Sequence, residues 1–362
     1  MSLGGASTRR GFLAAAASIS AAAGLSLLPP AAQAQLGVQS RPPQPAAAEL
    51  AAERRVAIEV HARPLSSFDL RDRARTRFGA LQFRSGLVLT SSFRGFGGLS
   101  ALRLDSAGER FVAISDKATW FTGKIVYRGR DMVGLADVEA APVLGPDGRS
   151  IMASRRWYDT EALAVDGGTA YIGLERVHQI LKYDFGRDGV LARGEVLAVP
   201  PALRRLPSNK GVEALVAIPK GARLGGTLLA ISERGLDANG NIIGFMLGAQ
   251  TGSFAIRRAD DYDISDAALL PDGDLLLLER KFSLFRGAGI RIRRLSLNKL
   301  GPGALLDGDE IFSADLGYEI DNLEGIAVHR DSEGHTILTL VSDDNFSMIQ
   351  RNLLLQFALI ED

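Results

Sequence analysis

Cysteine is absent from this chain of 362 residues, and histidine occurs only four times. The absence of cysteine excludes disulfides, thiolate zinc sites, cysteine-bound iron–sulfur clusters and a cysteine nucleophile. The scarcity of histidine argues against a histidine-rich metal site. A Gly-x-Ser-x-Gly sequence is also missing, which removes support for a serine hydrolase of the α/β type.

The chain has no excess of charge of either sign, since 42 Lys and Arg residues match 42 Asp and Glu residues. It therefore lacks the basic surface expected of a nucleic-acid-binding protein, and no nucleic-acid partner is predicted. Long amphipathic helical patterns are missing too. Short apolar runs alternate instead with turns rich in glycine, of which the chain has 40. This pattern predicts an all-β protein.

The N-terminus has the features of an export signal. Arg9 and Arg10 precede an Ala-rich apolar stretch from Gly11 to about Leu28, and Ala32–Ala34 then offers an A-x-A cleavage site. These features resemble a twin-arginine (Tat) signal, for which a transmembrane anchor is the alternative. We expect cleavage, a periplasmic or secreted location, the Tat machinery as an export partner, and no stable membrane insertion afterwards.

The export signal sets the predicted domain boundaries. Residues 1–34 form the signal, residues 35–54 form a linker rich in Pro and Ala, and residues 55–362 form the domain. The mature protein is expected to be a monomer.

The domain contains five copies of a motif at the start of a short apolar strand. Their central residues are Ser100, Glu161, Glu213, Asp266 and Glu324. Each copy is followed by a second motif that carries an acid. These acids are Asp116, Glu175, Glu233, Glu279 and Asp343. A repeat of about 50–60 residues with several short strands predicts the blades of a β-propeller.

We predict five blades, and a sixth blade built from N-terminal strands is the alternative. The strand Leu353–Leu359 has no neighbour in sequence, nor do the strands of segment Val56–Thr90. Pairing between them would close the ring and protect the sheet edges. Within Ala80–Thr90, the pair Ser85-Gly86 is expected to form a turn between two strands.

Several segments resemble one known family. They include FGALQFRSGLVLTSSFRGFGGLSALRLD, NKGVEAL, LPDGDLLLLERKFSL and EIDNLEGIAVHRD. Together they resemble the phytase-like propeller family, which is described by an esterase-like activity of phytase. The resemblance extends from about Phe78 to Leu359, and it implies a propeller that hydrolyses ester or phosphoester bonds. The Asp-Ala-x-Asp-Pro motif of the better-known propeller phytases is absent.

The repeated acids predict a metal site on the propeller axis. Four of them, together with an acid from the last repeat, are the candidate ligands: Glu161, Glu213, Asp266, Glu324 and Asp343. Crowded carboxylates must share protons, form salt bridges or bind a cation. Oxygen ligands favour Ca²⁺, with Mg²⁺ or Mn²⁺ as alternatives. The competing interpretation is structural, with each acid paired to a local base or capping backbone N–H groups.

Basic residues near these acids are candidates for catalysis and for binding a substrate oxyanion. Glu213, Glu324, Lys210 and Arg234 are the predicted catalytic residues. The predicted oxyanion ligands are Arg94, Arg176, Arg280 and Lys281. Arg suits phosphate and carboxylate because its guanidinium donates two parallel hydrogen bonds. Salt bridges between blades are the alternative role.

The sequence therefore predicts an exported hydrolase of small-molecule esters or phosphoesters that depends on a divalent cation. A non-catalytic propeller that binds a ligand or a protein in the cell envelope is the alternative. A lactonase-like or sugar-oxidising propeller is a third interpretation. The sugar-oxidising form is disfavoured by the few histidines available to hold a quinone.

Overall fold

Five sheets follow one another along the chain, and each is the blade of a β-propeller. The computed structural model describes residues 54–153, 159–283 and 287–360. The predicted signal and nearly all of the predicted linker lie outside these residues. Within the described residues, none of the helices is long and apolar enough to cross a bilayer.

Each of blades 1 to 4 has an inner, a second, a third and an outer strand, in chain order. Blade 1 contains Leu99–Leu104, Arg110–Ser115, Thr119–Arg128 and Asp131–Pro142, with Val56–Ala57 along its outer edge. Blade 2 contains Thr160–Asp166, Thr169–Leu174, Gln179–Asp184 and Glu195–Val196. Blade 3 contains Val212–Ala217, Thr227–Leu236, Ile242–Gly248 and Gly252–Ile256, with Leu305–Leu306 added in parallel. Blade 4 contains Asp263–Leu269, Leu275–Ser283, Gly287–Leu295 and Gly308–Asp315.

Blade 5 combines the two ends of the domain, which confirms the predicted closure. Its strands in spatial order are Asn322–Arg330, Thr336–Asp343, Asn352–Leu359, Leu81–Ser91 and Val60–Pro64, and Arg77–Phe78 pairs with Leu81–Ser91. The N-terminal strands thus complete the fifth blade and do not form a sixth. The predicted turn at Ser85-Gly86 is wrong, because both residues lie inside one continuous strand that carries a bulge.

Within the described residues, helices are few and short. One α-helical turn spans Phe185–Asp188, and 3₁₀ turns span Ile151–Ala153, Gly189–Leu191, Leu203–Arg205 and Leu297–Lys299. The turn at Leu203–Arg205 lies in the connection from blade 2 to blade 3.

The hydrophobic core is divided among the five blade interfaces. One apolar cluster lies between each pair of neighbouring blades, and the largest, between blades 4 and 5, includes Phe68, Phe312 and Phe357. The ring of Phe68 lies 5.0 Å from that of Phe357 in an edge-to-face contact, a favoured geometry for aromatic pairs. Because each inner strand contacts the inner strands of both neighbouring blades, the five strands surround a single axial channel.

Candidate functional site

Every inner strand carries a β-bulge near its first residues. The pairing with the second strand skips one residue in each blade. The skipped residues are Ser100, Glu161, Glu213, Ser265 and Glu324. A bulge re-aims the side chain of the extra residue. We call the end of the channel where these residues lie the carboxylate end.

The second strands bring a further residue to the same end. In blade 3, for example, Ser232 is the last second-strand residue to pair with the inner strand, and Glu233 comes directly after it. The five residues are Asp116, Glu175, Glu233, Arg280 and Asp343. Seven carboxylates and one arginine therefore occupy the equivalent positions of the five blades, together with the two bulged serines.

Blade 4 departs from the predicted repeat by one residue. Its bulged residue is Ser265, and Ile264 pairs with Glu279. The predicted equivalence of Asp266 with Glu161, Glu213 and Glu324 is therefore wrong. The positions that carry acids in blade 3 carry a serine and an arginine in blade 4.

Asp266 lies deeper in the channel, where it binds Arg103 of blade 1. The two guanidinium nitrogens Nη1 and Nη2 of Arg103 lie 2.7 and 2.8 Å from the carboxylate oxygens of Asp266. Arg103 also donates to the carbonyl oxygens of Leu215 and Ile326, each at 3.1 Å. Burial raises the pKa of Asp266, and Arg103 opposes that shift. The pair joins four of the five blades across the channel.

Glu279 also has a structural role. It is fully buried and accepts hydrogen bonds of 2.7–2.8 Å from Arg291 and Arg293 on the third strand of its own blade. The buried charge is therefore balanced within blade 4.

Glu175, Glu213 and Glu233 form the carboxylate cluster. All three are buried, and one oxygen from each lies within 4.8 Å of the others. The Lys210 Nζ lies 2.5 Å from a carboxylate oxygen of Glu233, and the Gly211 N–H donates to Glu175 at 3.2 Å. The structure thus brings the predicted residues Lys210 and Glu213 together, with an oxygen-only donor set that suits a hard cation.

Arg280 connects the carboxylate cluster to blade 5. Its guanidinium forms an ion pair with Glu324, and it lies 3.8 Å from Glu213 and 3.7 Å from Glu233. It also donates to the side-chain oxygen of Asn322 at 3.0 Å, and Asn322 donates to Glu324 at 2.7 Å. A single arginine therefore contacts carboxylates from two other blades.

Glu161, Glu213 and Glu175 resist ionisation. Burial raises the pKa of Glu161 well above its usual value, and the nearby carboxylate of Glu213 adds to the shift. Burial also raises the pKa of Glu213, which Arg280 partly opposes, and the pKa of Glu175. More negative charge converges here than Arg280 and Lys210 can balance, which favours bound protons or a cation.

The predicted ligand Asp343 lies with Asp116 where blade 5 meets blade 1. Burial raises the pKa of Asp116 to about 6 and that of Asp343 to about 7, and the nearby carboxyl group of Asp116 adds to the shift of Asp343. The neighbouring Asp344 accepts a hydrogen bond from the Gly98 N–H at 3.0 Å. Asp343 is thus part of the same acidic end but of a different corner from the carboxylate cluster.

Two of the predicted basic site residues, Arg176 and Arg234, pair with acids at the blade edges. The Nε of Arg176 lies 2.6 Å from Asp159. Arg234, predicted to be catalytic, binds the buried Asp263 of the next blade through Nε at 2.7 Å and through a second nitrogen. These contacts fit the structural alternative of ion pairs between and beside blades.

The other two predicted oxyanion ligands lie away from the carboxylate cluster. The Lys281 Nζ lies 4.2 Å from the ring centroid of Tyr262, a cation–π distance. Arg94 is exposed in the loop before the inner strand of blade 1. Of the four predicted oxyanion ligands, Arg280 is therefore the one that the described residues place against the cluster.

The sequence prediction missed Arg103. The equivalent inner-strand positions in the next three blades hold the apolar residues Ala164, Val216 and Ala268. An arginine where the other repeats have apolar residues was the feature of the sequence that could have revealed it. Beyond the Arg103–Asp266 pair, the opposite end of the channel opens into a cavity of about 910 Å³. Its lining includes Arg110, which is exposed.

The fold and this site define a five-bladed β-propeller whose axis is lined with carboxylates at one end. The family model for phytase-like proteins, described by an esterase-like activity of phytase, matches residues 94–346. The chain belongs to this phytase-like family.

Comparison with solved structures gives distant similarity. The PQQ-bound aldose sugar dehydrogenase of Streptomyces coelicolor is 10% identical, with a TM-score of 0.41, over 84% of this chain and 98% of that one. The glutaminyl cyclase of Myxococcus xanthus is 11% identical, with a TM-score of 0.39, over 74% and 92%. No curated protein matches the chain.

Proposed function

We propose that this protein is an exported hydrolase of small-molecule ester or phosphoester bonds that depends on a divalent cation at the carboxylate end. The observation that carries the proposal is the carboxylate cluster beside Arg280, three buried acids with oxygens within 4.8 Å of one another. Membership of the phytase-like family supports ester or phosphoester chemistry. Export through the Tat machinery to the periplasm or medium, and a monomeric state, are proposed from the sequence.

The donor set supports a cation. Glu175, Glu213 and Glu233 supply only oxygen atoms, and their negative charge exceeds that of the nearby basic groups. Glu161 is affected electrostatically by Glu213, and Glu324 pairs with Arg280, so both are proposed as further ligands. Calcium suits such a set best, with magnesium or manganese as alternatives. When bound, the cation would polarise a substrate oxygen and lower the pKa of water.

The remaining polar groups have roles that follow from their positions. Arg280 lies among carboxylates of two blades, and with Lys210 it would bind the substrate oxyanion and stabilise negative charge that develops there. Glu161, whose pKa is raised by burial, would hold a proton that it could donate to the substrate or its leaving group. Arg234 is proposed to hold blade 3 against blade 4 through Asp263.

The test is the metal content and activity of the exported protein purified without chelator. We expect near-stoichiometric calcium and hydrolysis of aryl esters or aryl phosphates, both lost in Glu213→Gln and reduced in Glu324→Gln. Glu333→Gln is the matched control, because Glu333 is exposed and pairs with Arg130 at the surface. Unchanged metal content and activity in Glu213→Gln would contradict the proposal.

A binding function is the second candidate, and the cavity at the opposite end favours it. That cavity, of about 910 Å³, is large enough for a drug-sized ligand. The Arg103–Asp266 pair lies between it and the carboxylate cluster. A ligand whose binding is lost in Arg110→Ala but retained in Glu213→Gln would support this second function.

A further inference from the structure

The carboxylate end is bordered on one side by exposed apolar side chains. Among the described residues, the four most exposed large apolar side chains are Met348 (103%), Ile349 (91%), Phe282 (77%) and Leu316 (58%). Phe282 lies near the end of the second strand of blade 4, and the other three lie in connections that follow strands of blades 4 and 5 at this end of the channel. We call these four residues the apolar rim.

Phe282 lies on the strand that supplies Arg280. The strand pairs regularly from Arg280 to Phe282, so the two side chains extend from the same face. Their separation along the strand is about 7 Å. Leu316 reaches the same hairpin, since its side chain packs directly over Gly287. The apolar rim therefore begins at Phe282, two residues along the strand from Arg280 of the proposed site.

The loop that carries Met348 and Ile349 is fastened to the same site. Asp321 accepts hydrogen bonds from the side chain of Gln350 at 3.2 Å and from the Arg351 N–H at 3.0 Å. Asp321 precedes Asn322, which contacts Arg280. The two apolar side chains are thus presented to solvent by an anchored loop, next to the residues that surround Arg280.

We infer that the apolar rim binds the hydrophobic part of an amphiphilic ester or phosphoester, while the polar group of that substrate binds at Arg280. The inference rests on the proposed function. Large exposed apolar side chains mark a binding surface when they group together, and these four lie at the end of blades 4 and 5 that carries Arg280 and Glu324. The carboxylates next to it disfavour an anionic bilayer as the occupant, because like charges repel.

The experiment compares two non-hydrolysable probes, n-octylphosphonate and methylphosphonate, by calorimetry on the calcium-loaded protein. Each buried methylene strengthens binding about fourfold. We expect octylphosphonate to bind at least about tenfold tighter. The octyl-to-methyl affinity ratio should fall toward one in the double variant Met348→Ser/Ile349→Ser and fall partly in Phe282→Ser. Leu305→Ser, an exposed leucine on the edge of blade 3, is the control and should keep the ratio.

The outcomes separate the inference from the function on which it rests. Equal affinities for the two phosphonates, with hydrolysis intact, overturn the apolar rim alone. Failure of both probes to bind overturns the proposed site as well. The inference is also overturned if the double variant keeps the affinity ratio but no longer binds neutral phosphatidylcholine vesicles, which would assign the rim to a membrane. The same holds if it keeps the ratio but no longer self-associates, which would assign the rim to a second copy of the chain.

Discussion

Blades 3 and 4 are neighbours with similar sequences, yet they use their acids in opposite ways. In blade 3, Glu213 and Glu233 reach the carboxylate end of the channel. In blade 4, Asp266 and Glu279 lie one residue away from the equivalent positions and are buried against arginines. The side-chain period of a strand is two residues, so a shift of one moves a side chain to the other face.

The same shift brings a positive charge to the centre of the acids. Arg280 occupies the position that holds Glu233 in blade 3, and it contacts Glu213, Glu233 and Glu324. Blade 4 thus buries its two acids and supplies Arg280 as the positive charge that pairs with the acids of blades 3 and 5. This comparison separates acids that stabilise the fold from acids available for chemistry.

The largest effect should come from the interior acid of blade 4. Glu279→Ala removes the one buried carboxylate that Arg291 and Arg293 share and leaves them the exposed Asp260 and Asp307 as acidic partners, so we expect the free energy of unfolding to fall by about 3–5 kcal/mol. Guanidinium chloride titration measures the change. Glu333→Gln, at an exposed pair, is the control and should cost less than about 1 kcal/mol. A similar small cost for Glu279→Ala would remove the distinction drawn between the two blades.

A smaller loss is expected when blade 4 is made to resemble the others. Arg280→Glu replaces the central cation by an eighth carboxylate, which should lower the free energy of unfolding by about 3 kcal/mol at pH 8. At pH 5 the loss should shrink because the buried acids bind protons. Saturating calcium should also reduce the loss. Equal losses at the two pH values would show that the charge of Arg280 is not what matters.

The pH dependence of stability tests the corner formed by Asp116 and Asp343. Their pKa values in the folded protein, about 6 and about 7, lie above the ordinary value of 3.8. The folded state therefore binds protons more tightly than the unfolded state between about pH 4 and pH 7. Stability should fall as pH rises through this range and level off above it. Thermal unfolding at pH 5 and pH 8, without added cation, measures the difference.

The double variant Asp116→Asn/Asp343→Asn provides the control for this slope. Asparagine resembles the protonated acid, so the fall in stability between pH 5 and pH 8 should largely disappear. An unchanged slope would assign the titration to the carboxylate cluster instead.

The smallest effect is expected at the serine of blade 4. The Oγ of Ser265 is buried and has no hydrogen-bond partner among the described residues. Ser265→Ala should therefore change the free energy of unfolding by less than about 0.5 kcal/mol. In contrast, the Oγ of Ser100, at the equivalent position of blade 1, donates to the Gly98 carbonyl at 3.3 Å. Ser100→Ala should cost more than Ser265→Ala when the two are compared by chemical unfolding.

Much of the fold could be predicted from the sequence, because apolar runs between glycine turns mark each hairpin and the five repeats set the number of blades. The acids of blades 2, 3 and 5 were also recognisable, since Glu161, Glu213 and Glu324 stand at the same point of their repeats. In blade 4 the sequence pattern selects Asp266, whereas the residue equivalent to Glu213 is its neighbour Ser265. The Glu-Arg pairs at Glu233 and Glu279 look equivalent, and a bulge leaves no mark in the pattern of residues.

The partners of individual arginine side chains could not be predicted, because they depend on distances between blades. Arg234 and Arg280 occupy similar places in their repeats, yet one binds Asp263 at a blade interface and the other binds Glu324 near the axis. Arg103 was overlooked for the same reason. Its partner Asp266 is distant in sequence and becomes a neighbour only when the ring closes.

That ring closure has a consequence for the order in which the protein folds. The strand Asn352–Leu359 lies in the middle of blade 5, between Thr336–Asp343 and Leu81–Ser91, yet it follows every other strand of that blade in the sequence. Blades 1 to 4 draw most of their strands from consecutive sequence and can assemble during synthesis, whereas the strands near the N-terminus must wait for their partner. Pairing of such distant segments is slow. The propeller therefore cannot close before the strand Asn352–Leu359 has been made.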